Sequence, residues 1–305
     1  MFKKFPGPFE QCGRLITTEE IKEIIDTIET FPKLSITTLT ETICEHLNWF
    51  AATGNYKKDA CFKLLQKLEA SGVIKLPGKR KNTRRAVKKA KKITSAEKKE
   101  RPELNCDLRD IAPVKVTPVS DKSDIELFKD YISEYHYLGY KKPFGCFMQY
   151  FAKSADGEII ACILFAGASK SMTIREKWIG WSTNQRLRNL AWVTNNSRFT
   201  IMPWVKIPCL ASHILGQIGR RIVRDWQAKW GYSPLLMETF VDPLRYSGTC
   251  YKASNWEYLG QTTGAGLVRI GKAYSTTPKL IFVKPLAKNF RKLLCTEYLE
   301  GNVDI

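Results

Sequence analysis

The sequence has few histidines and no paired cysteines. Of its 305 residues only three are histidine, and the nine cysteines occur singly, with no C-x-x-C pair. A zinc ribbon or a disulfide framework needs closely spaced ligands or paired cysteines, so we expect neither. Scattered free cysteines are typical of a reducing compartment, and we therefore expect a cytoplasmic protein.

Long hydrophobic runs are also missing. The longest apolar stretch runs from Ile159 to Ala168, whereas a helix needs about 20 apolar residues to cross a bilayer. The N-terminal residues Met1–Pro6 lack the apolar run of a signal peptide. We expect no membrane partner.

Acidic residues are outnumbered, with 30 Asp and Glu against 49 Lys and Arg, which gives a net charge of +19. A polyanion is the natural partner of such a chain. The aromatic content of 11% supplies rings that can stack on bases, so the composition favours nucleic acid. The alternative is a basic protein with no specific partner.

Positive charge is concentrated in one segment. Residues 79–101 contain twelve Lys or Arg and two Glu, which is +10 of the total. Because the segment has no apolar periodicity, it predicts a solvated linker over residues 79–113 between domains at 1–78 and 114–305. It is either a solubilising tether or a phosphate-binding arm. The arm would use Arg84, Arg85, Lys88 and Lys89.

The first domain is predicted to be helical. Thr17 precedes the periodic Ile21, Ile24 and Ile28 and can cap a first helix. Apolar spacing predicts further helices over 37–47 and 57–71, and residues 72–77 look like a strand. This order is that of a winged helix-turn-helix, whose third helix would lie in the major groove. Its exposed face carries the DNA-binding candidates Lys58, Lys63 and Lys67.

The second domain is predicted to be a mixed α/β domain of six or seven strands, so that the whole chain is α+β. Strands are expected over 147–152, 159–166, 235–241 and 256–260. Helices are expected over 124–135, 209–230 and 249–254.

The segment from Glu238 to Trp256 is rich in polar side chains that are costly to bury unpaired. Glu238 and Asp242 share strand parity, and about 13 Å of strand separates them. That is too far for both to bind one metal directly, unless a bend before Pro243 brings Asp242 back. A magnesium nuclease site is one interpretation. The other is that each carboxylate pairs with an arginine such as Arg198 or Arg245.

Tyr251 is a second candidate for chemistry on DNA. A tyrosine that attacks a phosphodiester needs a base and a cationic clamp, for which His136, Arg198 and Arg245 are candidates. Asn196 could read a base edge or hold a phosphate. The alternatives are a core tyrosine, a satisfied buried histidine and a polar turn.

Several segments in order resemble the DruA family, which occurs in Druantia anti-phage systems and in transposon-associated relatives. They are Tyr-His-Tyr-Leu-Gly (135–139), Trp-Ile-Gly-Trp-Ser (178–182), Asn-Asn-Ser-Arg-Phe (195–199), Leu-Ala-Ser-His (210–213), Glu-Thr-Phe-Val-Asp (238–242) and Gly-Thr-Cys-Tyr-Lys-Ala-Ser-Asn-Trp (248–256). The resemblance implies action on DNA in defence or mobility, with partner proteins of such a system. It implies no mechanism.

The order of elements in the second domain weakly resembles the back half of a GNAT acyltransferase. That fold implies an acetyl-CoA site at a glycine-rich turn, with Tyr251 protonating the departing thiolate. Here the equivalent residues 205–212 contain no glycine, and Pro208 removes a backbone donor. We therefore do not expect acetyl-CoA to bind.

Three functions follow. The first is a DNA nuclease or transesterase with His136, Glu238, Asp242 and Tyr251 as catalytic residues. The second is a non-catalytic DNA-recognition subunit that hands its substrate to a partner such as a helicase. The third is a GNAT-type enzyme that modifies a base or an amine.

Overall fold

The structure is a computed structural model, and it describes residues 8–31, 34–77, 102–143, 145–264, 277–297 and 299. The chain forms two compact units, residues 1–102 and 103–305. The candidate DNA contacts Arg84, Arg85, Lys88 and Lys89 lie outside the described residues.

The first unit contains a hairpin followed by three helices. Its elements are β1 (Phe9–Gln11), β2 (Arg14–Ile16), α1 (Thr18–Thr30), α2 (Ile36–His46) and α3 (Lys58–Ala70). Thr17 caps α1, since its hydroxyl accepts from the N–H of Glu20 at 3.2 Å. The Glu20 carboxylate accepts in return from the N–H of Thr17 at 2.9 Å. This capping box begins the helix where the sequence predicted it.

The segment after α3 is not a strand in the described residues 72–77. Leu76 donates its backbone N–H to the Glu69 carboxylate at 2.9 Å, so this donor is satisfied by a side chain and not by a neighbouring strand. The hairpin of this unit precedes the three helices instead of following them. The predicted strand is therefore wrong, and the winged-helix arrangement is not confirmed.

The second unit is built on a mixed sheet. Its strands are β3 (Leu104–Asn105), β4 (Lys115–Pro118), β5 (Met148–Lys153), β6 (Ile159–Gly167), β7 (Val193–Ile201), β8 (Val205–Lys206), β9 (Leu236–Val241), β10 (Glu257–Gln261) and β11 (Leu280–Pro285). Seven of them form one sheet in the order β10-β11-β9-β7-β6-β5-β4, while β3 and β8 pair separately. All neighbours in the large sheet are antiparallel except β7 and β9.

The helices of the second unit are α4 (Lys122–Tyr135), α5 (Thr173–Ile179), α6 (Thr183–Asn189), α7 (Leu210–Trp230), α8 (Thr249–Ala253) and α9 (Phe290–Leu294). The long helix α7 buries the stripe predicted from its sequence, including Ile214, Ile218, Ile222 and Trp226. No helix in the described part of the chain is both long and apolar enough to cross a membrane.

The two parallel strands inside the sheet, β7 and β9, are paired over their first residues only. Strands β7 and β9 pair from Val193 opposite Leu236 to Asn196 opposite Thr239, and no pairing follows. Beyond that point β7 continues to Ile201. On the other side of β7 the register with β6 skips Ser197, which is a β-bulge that bends the strand. The two parallel strands therefore diverge, and they leave a gap at one end of the sheet.

Gly248 permits the turn that places α8 beside this gap. Its φ is +75°, and a Cβ there would lie 2.4 Å from the Phe282 ring. Gly157 has a similar φ of +84° with nothing within 4 Å.

We expect Gly248→Ala to lower the free energy of unfolding by about 3 kcal/mol, because left-handed strain and overpacking add. Gly157→Ala should cost about 1 kcal/mol.

Denaturant unfolding followed by tryptophan fluorescence measures both variants. Equal losses for the two glycines would contradict the close approach of Gly248 to Phe282.

Candidate functional site

A cavity of about 650 Å³ occupies the gap between the diverging strands. We call it the strand-end pocket. Its walls are the second half of β7, the end of β9, the start of α8 and residues 135–138 at the end of α4. Six of the residues singled out in the sequence line it: His136, Asn196, Arg198, Asp242, Arg245 and Tyr251.

Glu238 is not part of this pocket. Its side chain is fully buried, and Oε2 lies 2.7 Å from Nη1 of Arg175 in α5. Oε1 accepts from the backbone N–H of Ser169 at 2.8 Å. The next residue, Thr239, faces the pocket, so Glu238 projects from the opposite face of the sheet. Burial raises the pKa of the Glu238 carboxyl, against the lowering effect of Arg175.

Asp242 follows the last residue of β9 and pairs with a lysine. Its Oδ2 lies 2.7 Å from Nζ of Lys279, and its Oδ1 accepts from the N–H of Leu244 at 3.2 Å. The Lys279 ammonium holds the pKa of the Asp242 carboxyl below its usual range. One interpretation paired each carboxylate with an arginine such as Arg198 or Arg245. Glu238 does pair with an arginine, but it is Arg175 of α5, and Asp242 pairs with a lysine that precedes β11.

The structure does not bring Glu238 and Asp242 together as ligands of one metal. Arg175 holds Glu238 and Lys279 holds Asp242, so the two carboxylates are bound to different cations. Within the described ranges, no group of three or more His, Cys, Asp and Glu side chains is placed to hold a metal ion.

Tyr251 is buried, and its hydroxyl donates to Oδ1 of Asn196 at 2.7 Å. Its ring stacks on Phe282 at 5.7 Å and meets Trp256 edge-on. Burial raises the pKa of the Tyr251 phenol further above neutrality. A nucleophilic tyrosine must form phenolate and reach the phosphorus atom. This environment opposes both requirements.

The amide of Asn196 has all its groups in use. Its Nδ2 donates to the carbonyls of Leu164 at 3.2 Å and Arg198 at 3.1 Å, and its Oδ1 accepts from Tyr251. These bonds bridge the bulge at Ser197. Asn196 therefore shapes the pocket, and it has no N–H left to donate to a base edge because both are used.

Two arginines supply positive charge at the pocket. Arg198 donates from Nε to the Gly139 carbonyl at 2.9 Å and from Nη1 to the Ser197 carbonyl at 2.6 Å, which leaves Nη2 available. Burial lowers the pKa of the Arg198 guanidinium. The exposed Arg245 lies over the Tyr137 ring at 4.7 Å. Neither arginine makes an ion pair with a described carboxylate.

His136 follows α4, and its Nδ1 accepts from the N–H of Leu138 at 3.2 Å. This bond implies that the neutral ring carries its hydrogen on Nε2. Burial and then the charge of Arg198 lower the pKa of His136 to about 4. The ring is therefore neutral at physiological pH and offers a donor to the pocket. It has no free lone pair with which to act as a base.

Aromatic rings at the pocket were missed in the sequence. Tyr137 and Tyr246 are 40% and 60% exposed, with their centroids 6.5 Å apart. Each stands next to a residue that was singled out, His136 and Arg245. The sequence signal that could have found these two rings was their position next to candidate site residues. Together the rings and guanidinium groups can hold an anionic ligand with a flat, apolar part.

The lysines of α3 are mostly engaged within the first unit. Lys58 forms an ion pair with Glu41. Lys67 donates to Oε1 of Gln11 at 2.7 Å and lies over the Phe9 ring. Lys63 is exposed. Their contact with DNA stays a prediction.

The Arg175–Glu238 pair should be a structural requirement. We expect Arg175→Leu and Glu238→Leu each to lower the free energy of unfolding by about 3–5 kcal/mol, because each leaves a buried charge unpaired. The double variant should lose less than the sum of the two, and this is measured by a double-mutant cycle in urea. The exposed pair Lys129–Glu126 is the control, with a cost of about 1 kcal/mol or less for Lys129→Ala. Additive losses at the buried pair would contradict the assignment.

The His136 signal in an NMR pH titration should have its midpoint near pH 4. Arg198→Met should move the midpoint upward, because it removes a like charge, and His136→Asn identifies the signal. An unfolded imidazole binds its proton at about pH 6.5. The contribution of His136 to stability is therefore present above that pH and is lost as the pH falls toward 4. A midpoint near 6.5 would contradict the burial of the ring.

Solved structures similar to this chain are GNAT acetyltransferases. A GNAT-superfamily phosphinothricin acetyltransferase from Sinorhizobium meliloti, in complex with AcCoA, is 11% identical. The similarity covers 57% of this chain and 89% of that one, with a TM-score of 0.37. A spermidine N-acetyltransferase from Vibrio cholerae, in complex with CoA and spermine, is 7% identical, with 57% and 95% covered and a TM-score of 0.36. Similarity at this level carries no conclusion about activity.

No curated protein matches the chain. The family model described as Druantia protein DruA matches residues 67–277, which is more than half of the sequence and includes every wall of the strand-end pocket. The segments singled out between residues 135 and 256 all lie inside this range. The chain belongs to the DruA family.

Proposed function

We propose that this chain is a DNA-recognition component of an anti-phage defence system, and that the strand-end pocket holds part of a DNA strand. One observation carries the proposal. Two guanidinium groups without carboxylate partners among the described residues stand beside two exposed tyrosine rings at one cavity. Single-stranded DNA binds to such combinations of cations and aromatic platforms.

The donors at the pocket suit a phosphate. Nη2 of Arg198, the guanidinium of Arg245 and Nε2 of neutral His136 can each donate to a phosphate oxygen. Because Nε and Nη1 of Arg198 are fixed by backbone carbonyls, the group is held in place before a ligand arrives. Such preorganisation reduces the entropy lost on binding.

A second pair of cations lies beside the pocket, one in α7 and one in β11. Arg220 and Lys284 line a cavity of about 510 Å³ that has no acidic residue in its walls. Lys284 donates to the Ser254 carbonyl at 2.6 Å, and burial and Arg220 lower the pKa of its ammonium. Residues 211 and 250 line the first cavity, and 212 and 253 line the second. A strand that leaves one can enter the other.

Recognition is favoured over cleavage by the placement of the acids and of Tyr251. The phenol of Tyr251 is buried and donates to Asn196, while Glu238 and Asp242 are each bound to a cation. A partner protein of the defence system would then supply the cutting or unwinding activity.

Acyl transfer is the second candidate, and one feature favours it. Ala211, in the first turn of the 21-residue helix α7, lines the pocket, so an anionic ligand could approach the helix N-terminus. The turn before it has no glycine, and its Pro208 lacks an N–H. Competition by acetyl-CoA separates this candidate from DNA recognition.

Fluorescence anisotropy with a labelled 20-nucleotide single strand and the matching duplex tests the proposal. Arg198→Ala and Arg245→Ala should each weaken binding of the single strand, and each should reduce the salt slope by about 1. Arg224→Ala, on the exposed side of α7, is the matched control and should change little. Tyr251→Phe should keep its affinity for DNA.

The same reactions are resolved on a denaturing gel. Unchanged affinity in both pocket variants would contradict the proposed role of the strand-end pocket. A cleaved or protein-linked strand would replace recognition with processing. Displacement of bound DNA by acetyl-CoA would favour the acyl-transfer candidate.

A further inference from the structure

A separate cavity of about 860 Å³ lies at the β4 edge of the sheet. It is bounded by the end of the edge strand β4, the start of β5, one side of α4 and the last turns of α7. We call it the edge pocket. It shares no lining residue with the strand-end pocket. Nothing in the proposed function uses it.

A buried amide at the edge pocket lacks a partner. Gln149 in β5 is only 3% exposed, and its Nε2 makes no hydrogen bond within the described structure. A buried donor without an acceptor is costly, and native structures seldom retain one without a reason. A ligand with an acceptor facing Gln149 would remove that cost.

Part of the remaining wall is apolar and aromatic. Val119, Ile125 and Met148 contribute aliphatic surface, and Phe147 and Tyr140 contribute rings. The volume admits a planar ring system with a substituent. A flat ligand could therefore lie against the rings while its edge meets the amide of Gln149.

The charge at the edge pocket is positive. Lys129, Lys142 and Lys229 line it, and Lys229 lies over the Phe147 ring at 5.0 Å. The acid in its wall, Asp225, is already bound by Arg221, with Oδ1 3.3 Å from Nη2. Lys129 pairs with Glu126. Lys142 and Lys229 make no ion pair with the carboxylates that the structure describes, so they can hold an anion.

We propose that the edge pocket binds one nucleotide unit, with the base on the apolar wall, the amide of Gln149 on the base edge and the phosphate at Lys142 and Lys229. Rotation of the amide lets Nε2 donate to N7 of adenine while Oε1 accepts from its N6 amino group. This two-bond pairing is the usual match between glutamine and adenine. The site should therefore prefer adenine to a pyrimidine.

Isothermal titration of the full chain tests the edge pocket with four probes: dAMP, dCMP, deoxyadenosine and inorganic phosphate. We expect dAMP to bind saturably and more tightly than dCMP or either fragment. Gln149→Leu should weaken dAMP by roughly tenfold, as expected for one lost amide–base pairing. The double variant Lys142→Ala, Lys229→Ala should weaken dAMP but leave deoxyadenosine unchanged.

Thermal unfolding separates binding from folding. Gln149→Leu replaces an unpaired buried amide with an apolar side chain of similar size, so the melting midpoint should not fall. Three results would overturn the proposal: no saturable binding of dAMP, equal binding of inorganic phosphate alone, or unchanged affinity in a folded Gln149→Leu protein.

Failure here is distinguishable from failure of the proposed function. Arg198→Ala, in the strand-end pocket, should leave unchanged the part of dAMP binding that depends on Gln149, and a loss of that part would contradict a separate site. An oligo(dA) strand added in competition identifies the source of the nucleotide. Displacement of dAMP that depends on Gln149 indicates a nucleotide within a strand, and its absence indicates a free nucleotide.

Discussion

The carboxamide of Asn196 stands where β7 leaves the regular sheet. The extra residue Ser197 interrupts the ladder with β6. Nδ2 of Asn196 reaches across it to the carbonyls of Leu164 and Arg198, the first residues that pair beyond the interruption. Its Oδ1 receives the Tyr251 hydroxyl, which ties α8 to the same point. Without these bonds, buried backbone carbonyls at the bulge would lose hydrogen-bond donors. The strand-end pocket exists because this one side chain satisfies the bent strand and anchors its neighbour.

The distribution of charge follows from the same geometry. Consecutive residues of β9 face opposite sides, so Glu238 is neutralised by Arg175 beneath the sheet while Thr239 faces the pocket. Asp242, at the strand end, is taken by Lys279. The charges left for a ligand at the pocket are therefore guanidinium groups. A site with cations, rings and no free carboxylate suits the binding of phosphate more than its hydrolysis.

Local features were predictable from the sequence, and long-range pairings were not. The capping box at Thr17 and the buried stripe of α7 depend on residues within one or two helical turns. The partner of Glu238 is Arg175, which lies 63 residues away in α5, a helix that no apolar periodicity predicted. Asn196 belongs to a strand that bulges, although its polar neighbours indicated a turn or a binding segment. The strand β11, which pairs with β9, was not predicted, and neither was the place of Tyr137 at the strand-end pocket.

Photochemical cross-linking tests most directly whether DNA occupies the strand-end pocket. A single strand that carries bromouracil would be irradiated with the full-length protein, and the modified peptides would be mapped by mass spectrometry. We expect adducts on Tyr137 and Tyr246, the two exposed rings beside Arg245. Adducts confined to residues 1–102 would contradict the proposed role of the strand-end pocket, because DNA would then bind without entering it.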